Sequence, residues 1–185
     1  MDRVKVWDPV VRIFHWALVL CFGANALVVD AESDLHQTIG YVVVGLIGLR
    51  IVWGLVGTRH ARFSDFPPSI AASLDQMADM ATGRRHIHLG HSPLGALMIY
   101  NLLLGLIATG LTGYMMTTNS WFGVHWVKEA HEIVVTWMEI SVVGHILAVI
   151  FESRRLKVNL AGSMVTGVKT VPAKNSPAKP GPERL

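Results

Sequence analysis

The sequence predicts an all-α integral membrane protein folded as a four-helix bundle, and three observations carry this prediction. The 185 residues are 51% hydrophobic, and their mean hydropathy is +0.43. Only 16% of the residues are charged, whereas typical soluble domains have about 25%. The apolar residues form four blocks, each long enough to cross a bilayer core about 30 Å thick, which takes roughly 20 helical residues. A soluble bundle is the alternative, but its helices rarely stay apolar on every face for this length.

The four predicted spans contain very few ionisable groups. The first has Arg12 as its only charge, the second is interrupted by His36 and Arg50, and the fourth contains Glu132 and Glu139. The predicted boundaries of the spans are residues 10–29, 35–56, 93–116 and 131–151. Together they make residues 1–157 one transmembrane domain.

The basic residues predict how the spans are oriented. Lysines and arginines precede the first span, lie between the second and third, and follow the fourth. The connection at residues 30–34 has no basic residue, and the connection at residues 117–130 has only Lys128. The positive-inside rule therefore places both termini and the 58–90 loop in the cytoplasm. In a bacterium this is a multi-pass protein of the inner membrane, with the two short connections in the periplasm.

Two segments outside the spans have a predicted character of their own. Residues 69–81 combine helix-forming residues with Leu74, Met77 and Met80, which predicts a short helix at the membrane surface. Residues 158–185 become rich in Pro, Lys, Gly and Ser, which predicts a disordered cytoplasmic tail.

Four histidines lie within the spans, and their depths are informative because ionisable residues in a membrane usually mark function. His15 and His145 lie near the cytoplasmic ends of the first and fourth spans. His36 and His131 lie at the periplasmic ends of the second and fourth. The four side chains therefore define two planes, each with two histidines from different helices.

Two imidazoles facing each other across a bundle are the axial ligands of a six-coordinate haem iron. His131 and His145 are 14 residues apart, so they point in directions within roughly 40° and lie about 21 Å apart along the helix. The lone Cys21 gives no C-x-x-C-H motif, so the two haems would be held non-covalently. Hydrogen bonds from each histidine to a neighbouring helix are the alternative. Zinc is disfavoured because His131-Glu132 lacks the second histidine of H-E-x-x-H.

Other polar residues in the spans have two interpretations each. Arg50 is predicted to lie on the His36 face at the depth of the cytoplasmic plane, where it could bind a haem propionate or extend to the lipid headgroups. Arg12, one turn from His15, has the same two interpretations, and extension to the headgroups is favoured. Glu139 lies mid-span and would serve a proton path or a hydrogen bond to a neighbouring helix.

The sequence resembles the bacterial cytochrome b561 superfamily, which includes the cytochrome b subunits of nickel-iron hydrogenases. The resemblance covers about residues 5–157. It rests on these motifs: Arg12–Trp16 (RIFHW), Leu35-His36, Gly48–Gly54 (GLRIVWG), and His131-Glu132 followed by His145. It implies a four-helix di-haem b protein in which His15 and His145 ligate one haem and His36 and His131 the other.

The resemblance also implies a function in respiratory electron transport. Such a protein would transfer electrons between the quinone pool and a periplasmic partner, such as a cytochrome c or a dehydrogenase or hydrogenase subunit. Two alternatives stay open, a quinone-coupled oxidoreductase acting on a small substrate such as superoxide, and a haem-free membrane anchor. No nucleic-acid partner is expected.

His91, in the segment His91–Gly95 (HSPLG), resembles an H-N-P-L-G segment of some family members, with Ser92 in place of the Asn. Together with His86 and His88 it could contact a quinone or a propionate. The alternative is a cluster of histidines in a solvated loop.

Overall fold

Four long helices and a small cap at one end make up the computed structural model, which describes residues 2–171. The helices are α1 Pro9–Leu27, α2 Asp34–Val56, α3 Ile70–Ala81, α4 Pro93–Thr117, α5 His125–Leu156 and α6 Leu160–Thr166. Two short strands, β1 Asp2–Lys5 and β2 Val168–Val171, pair antiparallel. Two short 3-10 turns, Arg59–Ala61 and Phe63–Asp65, follow α2.

Four of these helices, α1, α2, α4 and α5, are long and apolar enough to cross a membrane. Only 6% to 22% of their most apolar segments is buried within the protein, so most of the apolar surface faces outward, as lipid contact requires. The prediction of four helices that are long and apolar enough to cross a membrane is confirmed. Helix α5 begins six residues before the predicted span, in a polar turn that includes an ion pair between Lys128 and Glu132 at 3.9 Å.

Residues beside the spans fix where the helices begin. The carboxylate of Asp8 accepts a hydrogen bond from the Val11 amide at 3.0 Å, just before Pro9 opens α1. Ser33 and Ser92 cap α2 and α4 in the same way. Such side chains satisfy amides that the first helical turn leaves without partners.

The interior of the bundle is small. Helix α4 packs against α5 and α2, and α1 packs against α2. The buried core comprises Val43, Ile47, Leu106 and Met138. The Met138 sulfur occupies the space that a Cβ at Gly105 would need, so this glycine permits the close approach of α4 and α5.

Helix α3 confirms the predicted helix in the loop between the second and third spans. Ile70, Leu74 and Met77 are exposed along one side of it, as expected for a helix lying on a membrane surface. On the other side, buried Gln76 accepts a hydrogen bond from the Leu94 amide at 3.0 Å. This bond ties α3 to the start of α4.

The expectation of disorder from residue 158 onward is wrong for residues 158–171. Asn159 caps α6 by accepting from the Gly162 amide at 2.7 Å, and Gly167 ends the helix with a φ of +80°. Strand β2 then pairs with β1, and Trp7 Nε1 donates to Ser163 Oγ at 3.2 Å. The composition of this segment does not indicate helix α6 or strand β2, because both are ordered through contacts with the N-terminal residues. Residues 172–185 of the predicted tail lie outside the described residues.

The pairing of β1 with β2 places both described chain ends on the same side of the bundle, as an even number of spans requires. We call the side that carries β1, β2, α3 and α6 the basic end. The opposite side, the acidic end, carries residues 28–33 and 118–124, which connect α1 to α2 and α4 to α5.

Candidate functional site

The four span histidines lie on three helices: His15 on α1, His36 on α2, and both His131 and His145 on α5. The His15 side chain lies within electrostatic range of His145, and the His131 side chain lies within electrostatic range of His36. All four side chains are half-buried. The structure thus brings the residues together in the two combinations proposed from their depths, one near each end of the bundle.

At the acidic end, the His131 ring is held by α4. Its Nδ1 shares a hydrogen bond of 2.9 Å with Thr112 Oγ1. A Cβ at Gly113 would lie 3.2 Å from His131 Cε1, so the absent side chain leaves room for the ring. The bond at Nδ1 leaves Nε2 available as a ligand, which is how partners of the other nitrogen orient metal-binding histidines. Sequence reasoning missed Thr112, because a single threonine in an apolar helix carries no motif.

His36 is anchored by its backbone. Its amide donates to Ser33 Oγ at 3.2 Å, and its carbonyl accepts from Asn25 Nδ2 at 3.0 Å. Its ring nitrogen Nδ1 is buried without a partner among the described residues. Asn25 was also missed, since it lies in the preceding helix, 11 residues away in the chain.

His15, at the basic end, also has a buried Nδ1 without a described partner. Its ring stands edge-on to Trp16, with centroids 5.2 Å apart. A buried polar nitrogen without a partner is costly, and a bound metal supplies such a partner.

A haem fits these pairs better than a smaller metal site does. Among residues 2–171, no three His, Cys, Asp or Glu side chains cluster as a metal site would require. A haem iron takes four ligands from its own ring and needs only the two imidazoles that each plane supplies.

Arg50 lies inside the protein near the basic end. Only 6% of the residue is exposed, and its guanidinium carbon lies 4.7 Å from the centre of the Phe63 ring. The absence of a side chain at Gly54 lets that ring close against α2. The interpretation that Arg50 extends to the headgroups is therefore wrong. Its Nη1 is buried without a described partner, so this donor could bind an anionic group such as a carboxylate.

His91 is enclosed by aromatic rings just before α4. Its centroid lies 4.7 Å from that of Trp7 and 4.2 Å from that of Phe66. Burial, together with the nearby charge of Arg50, lowers the pKa of His91 to about 3, so the ring is neutral at physiological pH. His86 instead lies on the surface, 3.5 Å from an Asp79 oxygen. His86 therefore contacts an α3 carboxylate rather than His91.

The loop that leads to His91 is held by the C-terminal strand. Lys169 Nζ donates to the carbonyls of His88 and Leu89 at 2.7 and 3.2 Å. Burial lowers the pKa of Lys169 to about 8. Sequence reasoning missed this lysine because it lies in the segment predicted to be disordered.

Arg12 also has a role inside the protein rather than at the headgroups. It donates a hydrogen bond to the Val165 carbonyl at the end of α6, while its Nε is buried without a described partner. Trp16 Nε1 donates to the neighbouring Met164 carbonyl at 3.4 Å. Cations near a helix C-terminus interact favourably with its dipole, so Arg12 fastens α6 to α1.

Comparison with known proteins gives one match. The family model described as prokaryotic cytochrome b561 matches residues 6–167. No curated protein and no solved structure matches the chain. The matched range contains all four span histidines and extends through α6. The chain therefore belongs to the prokaryotic cytochrome b561 family of membrane b-type cytochromes, which bind haem b and act in electron transfer.

Proposed function

We propose that this protein is a di-haem cytochrome that transfers electrons across the membrane between the quinone pool and a redox partner. The imidazoles of His15 and His145 would hold one haem, and those of His36 and His131 would hold the other. The membrane is the bacterial inner membrane, the basic end lies in the cytoplasm, and the redox partner docks in the periplasm.

One observation carries the proposal: α5 contributes one histidine to each pair, and another helix supplies its counterpart. The spacing of 14 residues keeps both imidazoles on one side of α5 and separates the two levels by about 21 Å. Two cofactors at these levels would divide the membrane crossing into short steps. Haem b, when bound, supplies a one-electron couple at its iron.

The protein's own groups orient and shield these sites. Thr112 holds His131 with one nitrogen free, and Gly113 leaves the ring its space. Apolar side chains around the helices exclude water, and this exclusion would influence the reduction potential of a haem bound there. At the basic end, the unpartnered Arg50 Nη1 is proposed to bind a propionate. The neutral His91 is proposed to contact a propionate or a quinone oxygen.

A reduced-minus-oxidised absorption spectrum of the purified protein, with a quinol as reductant, tests the proposal. We expect a b-type signal from two haems that a quinol reduces without any partner protein. A protein that binds no haem would overturn the proposal and leave a membrane anchor. Turnover of superoxide without a partner would instead identify a quinone-coupled oxidoreductase.

A further inference from the structure

Glu139 stands out among the residues that the haem sites do not use. It lies near the middle of the 32-residue helix α5, between the levels of His131 and His145. Its side chain is exposed and forms no hydrogen bond or ion pair with any described residue. An ionisable residue at this depth is costly against lipid, and such residues almost always face a polar or charged partner. The expected hydrogen bond to a neighbouring helix of the bundle is therefore absent from the described part of the chain.

A polar side chain at a similar depth, Asn101, does have hydrogen-bond partners within the bundle. Asn101 of α4 accepts from Trp137 Nε1 at 3.1 Å and donates to Ser141 Oγ at 2.9 Å. This network joins α4 to α5 on another side of the helix. Glu139 has no counterpart of this kind on its own side.

Glu139 belongs to a continuous exposed seam along α5. The members recur at alternating intervals of four and three residues, which is the spacing of a helix-packing seam. We call the following residues the outer seam: Glu132, Thr136, Glu139, Val143, Ile146 and Ile150. All six are exposed. Each of Glu132, Glu139 and Ile146 follows directly after a residue of the His131–Met138–His145 line, so the outer seam lies about 100° around the helix from the haem ligands.

We infer that the outer seam packs against a transmembrane helix of another protein, which places a lysine or arginine beside Glu139. A cation on the partner helix would supply the polar contact that the carboxylate lacks among the described residues. The β-branched residues Val143, Ile146 and Ile150 would supply the apolar contacts in the other half of the seam.

A second copy of this chain fits the outer seam poorly. Two copies related by a two-fold axis along the membrane normal would bring residues of equal depth together. Glu139 would then face Glu139, and neither carboxylate has a described cation beside it. Like charges at close range are unfavourable, so the geometry favours a partner of opposite charge over a symmetric dimer.

The test uses the full-length haem-loaded protein in lipid vesicles with a synthetic helix about 23 residues long made of Leu and Ala. One form of the helix has a single central lysine and the other has leucine there. Energy transfer between a dye on the helix and a dye on the protein measures association. The variants are Glu139→Leu and, as a matched control, Glu129→Leu, which alters an exposed glutamate of α5 outside the predicted span.

We expect the lysine helix to bind the wild-type protein about tenfold more tightly than the leucine helix does. Glu139→Leu should abolish this preference, and Glu129→Leu should keep it. Equal binding of both helices would overturn the inference, and so would self-association of the wild-type protein that Glu139→Leu removes. Haem spectra of both variants should match the wild type, so failure here is distinguishable from failure of the haem proposal.

Discussion

The two histidine pairs lie in the same bundle, yet their surroundings differ in charge. The basic end carries two arginines, half-buried Arg12 one turn before His15 and buried Arg50, whose Nε and Nη1 atoms respectively have no described partner. The pair at the acidic end is held by neutral groups, the Thr112 hydroxyl and the Asn25 amide. Polar and acidic residues begin the helices there, with Asp34 two residues before His36.

This difference predicts an asymmetry in redox behaviour. Positive charge near a haem favours its reduced state, whereas nearby carboxylates favour the oxidised state. We therefore expect the haem at the basic end to have the higher reduction potential. Electrons would then settle at the basic end at equilibrium, and the acidic end would serve exchange with a partner.

The largest expected effect comes from removing a ligand. His131→Ala should eliminate the haem at the acidic end and leave the other, so that about half of the haem absorbance is lost. His125→Ala, which changes an exposed histidine at the start of the same helix, should keep both haems. Haem content per chain in the purified proteins is the measurement, and a His131→Ala protein with two haems would contradict the pairing.

A smaller effect is expected from the group that orients His131. Thr112→Val removes the hydroxyl on Nδ1 and should weaken haem retention at the acidic end by about tenfold or more, as is typical for such supporting contacts. Thr109→Val is the control, because the Thr109 hydroxyl bonds to the Gly105 carbonyl of its own helix. Transfer of haem to apomyoglobin reports the retention. Equal loss from both variants would show that the Thr112 bond is not specific.

Removing the buried charge at the basic end tests the asymmetry directly. Arg50→Leu should lower the potential of that haem by a few tens of millivolts, where about 59 mV corresponds to a tenfold change for one electron. The haem of the acidic end should change less. Arg62→Leu, at an exposed arginine between the two 3-10 turns that follow α2, provides the control. A redox titration in which Arg50→Leu shifts neither potential would remove the electrostatic basis of the comparison.

The smallest effect concerns the packing of the basic end and depends on pH. Burial raises the pKa of Asp8. Hydrogen bonds from Thr58, the Val11 amide and Trp53 lower this pKa by more than burial raises it, so the pKa of Asp8 lies below its ordinary value of 3.8. Asp8 therefore stabilises the fold above that value, and the contribution is lost as the pH falls through the lower folded-state pKa.

Asp8→Ala should accordingly destabilise the protein by roughly 1 to 2 kcal/mol at neutral pH. The difference from the wild type should stay constant down to about pH 4, near the unfolded pKa of an aspartate, and should shrink as the pH falls further. The stability difference is measured from the thermal loss of haem absorbance. The control is Asp75→Ala, at an exposed carboxylate of α3, which should show no pH-dependent difference from the wild type. A deficit of Asp8→Ala that is independent of pH would contradict the role of the charge.

The sequence predicted the spans well because hydropathy and length decide them. Asp8, Ser33 and Ser92 mark the helix starts within a residue or two of the predicted boundaries. The depths of the four histidines could be predicted for the same reason, since depth in a span follows from counting residues, whereas their roles as haem ligands stay a prediction. His15 and His145 needed no knowledge of how the helices pack.

Contacts between distant segments were not predictable. Lys169 bonds to carbonyls about 80 residues earlier in the chain, and β2 is ordered because it pairs with β1. Local composition around Lys169 resembles that of a disordered tail. The partners of Thr112 and Asn25 likewise depend on helix packing, which no local pattern encodes.

The most direct test of the central claim is a comparison of the four single variants His15→Ala, His36→Ala, His131→Ala and His145→Ala. Each purified protein is examined for haem content and for the potential of the haem that remains. We predict that His15→Ala and His145→Ala retain one haem with a common potential, and that the other two retain one haem with a second, higher potential. Variants that group in any other way, or that keep both haems, would contradict the assignment of two bis-histidine haems at opposite ends of the bundle.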